Sequence, residues 1–228
     1  LDFTTVNFYD GQGFMVRIDS GIKSALELAG ATVCVATGTT TELNLADYSR
    51  ANNLDIEPVT FEDKNVRNET FYKGGCDAVT NDKSGLASTK AEFPDPENFM
   101  ILPETISKEP LGPVVRQGDS NWNDIVMWSV FALVAAEELG LNSGNVESVR
   151  SSTTNAEVKR MLGVEGNLHE GLGLSKDWAY NIVSQVGNYA EVYEAYMGGG
   201  ERGIGITRAG SQNALWNQGG LMYSPPFR

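Results

Sequence analysis

The chain has 228 residues, 41% of them hydrophobic, which is enough for one large domain or two small ones around a sizeable core. Its formal net charge of −13 and pI near 4.5 would repel a nucleic-acid backbone or an anionic membrane surface. No basic run offsets that charge, so no nucleic-acid partner is expected.

The first residues, Leu1-Asp2-Phe3-Thr4-Thr5-Val6, have strand character and no targeting pattern, which suggests a removed leader or a piece of something longer. Extended segments are expected at residues 6–9 and 13–16, joined by Asp10-Gly11-Gln12. Residues 22–29 have helical spacing, with Ile22, Ala25, Leu26 and Ala29 on one face and Gly30 as a stop. The apolar run Ala31-Thr32-Val33-Cys34-Val35-Ala36 reads as a strand. Thr39 with Glu42 three residues on is a capping-box pattern opening a helix to about Asn52. A strand at 58–61, a helix at 62–72, a strand at 76–80, a loop at 81–85 and a strand at 99–102 follow. Alternating strands and helices over residues 19–105 are the pattern of a parallel sheet with crossover helices.

Residues 106–115 carry prolines and read as an extended connector. From Asn121 the pattern is helical, at 121–140, 146–162 and 176–197, before the break Gly198-Gly199-Gly200 and an irregular tail. The longest apolar stretch, 125–136, falls short of the roughly 20 residues of a membrane helix. It reads as buried.

Two cysteines, Cys34 and Cys76, are compatible with one disulfide or with two buried thiols. Each sits in or at the start of a strand-like run. A bridge would close a loop worth about 4 kcal/mol in the chain-entropy picture and would favour an oxidising compartment. The lone histidine, His169, is distant in sequence, so no metal is expected, and no cofactor motif is present.

The chemistry gathers in two strand-to-helix turns. Ligands of open parallel sheets bind beyond the carboxyl ends of the strands. Thr37-Gly38-Thr39-Thr40-Thr41 offers hydroxyls and helix-start N–H groups, which suit an anion such as a carboxylate. Asp82, in the loop after the 76–80 strand, offers a carboxylate suited to an ammonium. Each alone is open to a plain structural reading: Thr39 and Glu42 as a helix cap, Asp82 as a turn cap. Together they match the two ends of a zwitterionic amino acid. Asp82-Lys83-Ser84 could be imagined as a Ser/Lys nucleophile, but a loop is the better reading, and no enzyme is expected. The four tryptophans, Trp122, Trp128, Trp178 and Trp216, read as core or hinge residues.

The stretch Thr37-Gly38-Thr39-Thr40-Thr41-Glu42-Leu43-Asn44-Leu45-Ala46-Asp47 resembles periplasmic amino-acid-binding proteins of ABC transporters, in particular the general L-amino-acid branch of solute-binding protein family 3. The resemblance continues through Phe8-Tyr9-Asp10-Gly11-Gln12-Gly13-Phe14, the run from Cys76 to Leu86, Ser107-Lys108-Glu109-Pro110-Leu111, Asp177-Trp178-Ala179-Tyr180 and Asn213-Ala214-Leu215-Trp216. It implies an α/β fold of the type II periplasmic-binding-protein kind, with one complete lobe and a truncated, mostly helical remainder of the other. Residues 1–18 and 106–120 would be hinge crossings, 19–105 the second lobe and 121–228 the helical part of the first. Thr40 and neighbouring N–H groups would take the α-carboxylate, Asp82 the α-ammonium, and Cys34 and Cys76 would be the second-lobe disulfide. The implied partners are an L-amino acid and a membrane permease of an ABC importer, in the periplasm. The arginine that clamps the carboxylate in family members lies ahead of the point matching Leu1. The other reading is a shortened structural or interaction module, or a self-dimer that completes the truncated lobe, with weak or no ligand binding.

Overall fold

The computed structural model describes all residues, 1–228. Strands β1 (Asp2–Phe3), β2 (Phe8–Asp10), β3 (Gln12–Arg17) and β4 (Thr32–Ala36) lead to helix α1 (Thr40–Asn52). Then come β5 (Glu57–Phe61), α2 (Lys64–Tyr72), β6 (Ala78–Asp82), α3 (Lys83–Glu92) and β7 (Phe99–Ile101). Short strands β8 (Glu109–Leu111) and β9 (Val114–Val115) precede α4 (Ser120–Glu138), α5 (Val146–Ser152), α6 (Ala156–Met161), α7 (Trp178–Val186) and α8 (Tyr189–Tyr196). The chain divides into two compact units, one formed by Tyr9–Pro110 and the other by Leu1–Phe8 with Leu111–Arg228.

The first, a sheet unit, is built on five strands in the order β5-β4-β6-β3-β7. β4 runs parallel to both β5 and β6, as the βα alternation implies. β3 departs from the parallel sheet expected: it enters between β6 and β7 and is antiparallel to both. Because its register partners belong to strands on either side, β3 is an interior strand, and residues 12–16 are all buried. Period-two alternation sorts side chains to two faces. Phe14, Val16, Val33, Val35 and Ala78 pack with Leu45 of α1 on one face. Met15, Cys34 and Val79 pack with Phe71 of α2, Leu86 of α3 and Phe99 on the other. Full burial of a residue such as Phe71 or Phe99 contributes about 2–3 kcal/mol. The Cys34–Cys76 disulfide is formed, with Cα atoms 5.8 Å apart across 42 residues of chain. It ties β4 to the residues that lead into β6, within the second core.

Two local expectations fail in this unit. Residues 22–29 form no helix, only a 3-10 turn at Ala25–Glu27 capped by the Ser24 hydroxyl, where the Glu104 carboxylate accepts from the Ser24 hydroxyl and the Ala25 N–H. The loop expected at 81–85 is absent: β6 passes at Asp82 directly into α3. At Gly11 the backbone is crowded, since a Cβ there would lie 2.2 Å from Thr105 Cγ2 and 2.7 Å from the Ser107 carbonyl oxygen. Only glycine fits beside the 105–107 segment.

The second unit is mostly helical. Ala132, Ala135 and Ala136 of α4 give α7 a small-residue face to approach, and Trp178, Ala179 and Val183 fill it together with Met161, Leu162 and Phe227. The single helices expected at 146–162 and 176–197 each break in two. Thr153 is extended and the Asn155 side chain caps α6 through the N–H groups of Glu157 and Val158. Gly187 ends α7 at φ 87°, and Asn188 with Glu191 forms a capping box that opens α8. All four tryptophans lie in this unit.

Candidate functional site

The site lies within the sheet unit, at the carboxyl ends of the neighbouring strands β4 and β6. The chain leaves β4 through α1 toward β5 and leaves β6 through α3 toward β7, in opposite directions along the sheet. That divergence is a topological switch point, where open α/β sheets leave a crevice. α1 packs on one face and α3 on the other. The parallel register pairs Val33 with Ala78 and Cys34 with Val79, and Gln12, the ladder partner of Asp82, donates to the Thr41 carbonyl in the first turn of α1, which links the two strand ends.

The turn after β4 is largely occupied with its own hydrogen bonds. Gly38 adopts φ +68°, a conformation glycine takes without cost. The Thr39 hydroxyl accepts from the Glu42 N–H at 3.3 Å and donates to the Ala36 carbonyl at 2.8 Å. Glu42 Oε2 accepts from the Gly38 N–H at 2.7 Å, so the reciprocal half of the expected box closes on Gly38 and not on Thr39. The Thr37 N–H donates to the Phe61 carbonyl. Of the donors expected here, Thr37 and Gly38 are therefore engaged. Thr40 and Thr41, at the first two positions of α1, keep N–H groups that have no intrahelical acceptor, together with their hydroxyls.

Asp82 occupies the N-cap position of α3 and accepts no capping hydrogen bond. The plain turn-cap reading of this residue therefore does not hold. Its carboxyl is partly buried, and burial raises its pKa, with further upward pushes from Asp10 and Glu109. Those two neighbours are already used: Asp10 accepts from the N–H groups of Gly11 and Ser84, and Glu109 accepts from the Ser107 hydroxyl. A cation reaching Asp82 would relieve both its desolvation and the repulsion. Lys83 is turned to another task, its ammonium donating to the Pro103 carbonyl at 2.8 Å. Burial lowers its pKa. It forms no nucleophilic pair with Ser84.

Sequence reasoning missed Gln12, which stands opposite Asp82 in the β3–β6 ladder and is fully buried. Its amide donates to the Thr41 carbonyl at 3.0 Å and to Thr80 Oγ1 at 2.9 Å. A glutamine between two glycines at the mouth of an apolar strand was the available signal. It also missed the crowding of Asp10 and Glu109 around Asp82, which needs the β3–β6 pairing to be seen. A separate depression of about 600 Å³ lies between α1 and Pro58 and shares only Glu42 with the turn. His169 sits in a short 3-10 turn of the helical unit.

No protein-family model matches the chain. Among curated proteins it is 54% identical over 228 residues to the glutamate/glutamine/aspartate/asparagine-binding protein of Rhodobacter capsulatus, covering 100% of this chain and 67% of that one. It is 50% identical over 230 residues to the general L-amino acid-binding periplasmic protein of Rhizobium johnstonii, again across 100% of this chain and 66% of the relative. The chain thus spans about two thirds of the length of these relatives. Among solved structures, a periplasmic binding protein from Brucella ovis with glutathione bound superposes over 100% of this chain and 71% of its own, at 47% identity and a TM-score of 0.93.

Proposed function

Because the chain belongs to the periplasmic amino-acid-binding proteins of ABC transporters and has their type II α/β fold, we propose that it captures L-amino acids for an ABC importer by holding the two charged ends of the ligand at two turns. The α-carboxylate is taken at the turn Thr37, Gly38, Thr39, Thr40 and Thr41, by the N–H groups and hydroxyls of Thr40 and Thr41. The helix dipole adds to their attraction. The α-ammonium is taken by Asp82. The observation that carries this reading is Asp82: an N-cap aspartate with no cap bond, its pKa raised by burial, whose ladder partner Gln12 bonds the first turn of α1.

The relatives' names direct the choice of ligands to glutamate, glutamine, aspartate and asparagine. Glutathione, bound in the Brucella ovis neighbour, carries a free α-amino acid group at its glutamyl end, which is the zwitterion this site suits. The named relatives are binding proteins, and no reaction is assigned to this chain. The proposed compartment is the periplasm: relatives are named for it, the formed disulfide fits an oxidising setting, and no helix is long and apolar enough to cross a membrane. We take the hinge crossings to lie within residues 1–18 and 106–120, where the chain passes between its two units after Phe8 and after Pro110, and a membrane permease to be the partner.

Calorimetric titration of the folded chain with the common L-amino acids tests the proposal. Heat is expected with at least one amino acid bearing a side-chain amide or carboxylate, and its loss on Asp82→Ala. Silence across the whole panel, or an unchanged affinity in Asp82→Ala, would remove this site from the function.

A further inference from the structure

Gln12 is a polar residue with no exposure at all, on an interior strand of the sheet, and it is fully buried together with the polar Thr80 among mostly apolar core residues. Its amide orientation is fixed by its partners. Thr41 offers a carbonyl, and the Thr80 hydroxyl already gives its proton to the Gly13 carbonyl at 2.7 Å, so both can only accept from Gln12. The amide oxygen, by contrast, is buried and accepts nothing. An unpaired buried carbonyl is a cost that an apolar side chain of the same size would avoid. What the glutamine gains is a bracing that no aliphatic residue could supply. One side chain joins β3, which pairs with Asp82, to β6 through Thr80 and to the first turn of α1 through Thr41.

We propose that Gln12 is the positioning residue that fixes the span between the carboxylate-binding start of α1 and Asp82, and so selects ligands whose ammonium and carboxylate share one carbon. This rests on the function proposed above. α1 is held to the sheet on this side by the bond from Gln12 to the Thr41 carbonyl, adjacent to the donors that face the ligand. Removing that bond frees the first turn to shift by fractions of an ångström relative to Asp82. A ligand with its charges one carbon further apart is then less disfavoured.

The test compares L-glutamate with β-glutamate, in which ammonium and carboxylate are one carbon further apart, on the unmodified chain, Gln12→Met and Asp82→Ala. The unmodified chain should prefer L-glutamate. Gln12→Met should weaken L-glutamate binding and narrow the preference about tenfold. Equal weakening of both ligands, with the preference intact, would reduce Gln12 to a packing residue and overturn the inference while leaving the proposed function in place. Absence of binding by the unmodified chain, or insensitivity to Asp82→Ala, would overturn the function and this inference with it. If Gln12→Met does not fold, Thr80→Val removes one of the two bracing partners and should narrow the preference in the same direction; an unchanged preference there overturns the inference.

Discussion

The two turns at the head of the sheet are built on the same plan and satisfied in opposite ways. After β4, Thr39 caps α1 and Glu42 returns to the Gly38 N–H, so the turn closes on itself. After β6, Asp82 holds the corresponding position before α3 and caps nothing. An N-cap aspartate bonded to its own helix contributes about 1 kcal/mol. Asp82 forgoes that contribution and bears burial besides, which leaves its charge available to something else. The first turn shows how a helix start is stabilised, and the second lacks that stabilisation, which is what the proposed ammonium site requires.

Perturbations of the disulfide, Asp82, Thr39, Asp63 and Glu42 separate the two turns, in decreasing order of expected effect. Reducing the disulfide, which ties β4 to the entry of β6, should lower stability by about 4 kcal/mol and weaken amino-acid binding, because the register between the turns loosens. Urea titrations with and without reductant, run alongside calorimetry, measure both. Asp82→Ala should cost about 3 kcal/mol of binding, as truncation of one partner of a desolvated charge pair does, while Asp82→Asn should lose affinity and raise the melting temperature. A rise in neither variant's stability would contradict the picture of a strained carboxylate. Thr39→Ala should cost about 1 kcal/mol of stability, read from the urea midpoint, with a smaller effect on affinity. Asp63→Ala, which uncaps α2 away from the site, should match it in stability and leave binding untouched. Glu42→Gln removes a carboxylate from the start of α1 and should strengthen binding by roughly 0.3–1 kcal/mol.

The comparison also has a pH signature. The folded pKa of Asp82 lies above its unfolded value. Between the two, the folded chain keeps a proton that the unfolded chain releases, so the Asp82 contribution to stability falls as pH rises through that window. Ligand affinity should move the other way, rising over the same window as the carboxylate ionises to meet the ammonium. Affinity and melting temperature measured against pH, each taken as the difference from Asp82→Asn, should show the opposed trends. Parallel trends would place the ammonium elsewhere.

The sequence made the first turn readable and obscured the second. Thr39 and Glu42 at capping spacing, after a β-branched run, pointed to a strand, a cap and a helix, and α1 begins where they imply. Asn81, Asp82, Ser84 and Gly85 are residues that favour turns, so α3 was hidden, although packing of Leu86 and Ala87 overrides that local preference. The antiparallel insertion of β3 was equally invisible, since pairing partners are set by distant strands. Gln12 was missed because its role depends on that insertion. In the helical unit, periodicity ran through the breaks at Thr153 and Gly187 because the apolar face continues on both sides of each cap.

The placement of the tryptophans divides the protein spectroscopically. With all four outside residues 9–110, indole emission reports on the helical unit, and the sheet unit that carries both turns is dark at that wavelength. Far-ultraviolet circular dichroism sees both. Reduction of Cys34–Cys76 therefore offers a direct measure of cooperativity: a dichroism midpoint that moves while the indole midpoint stays in place would show two independently melting halves, and midpoints that move together would show one folding unit.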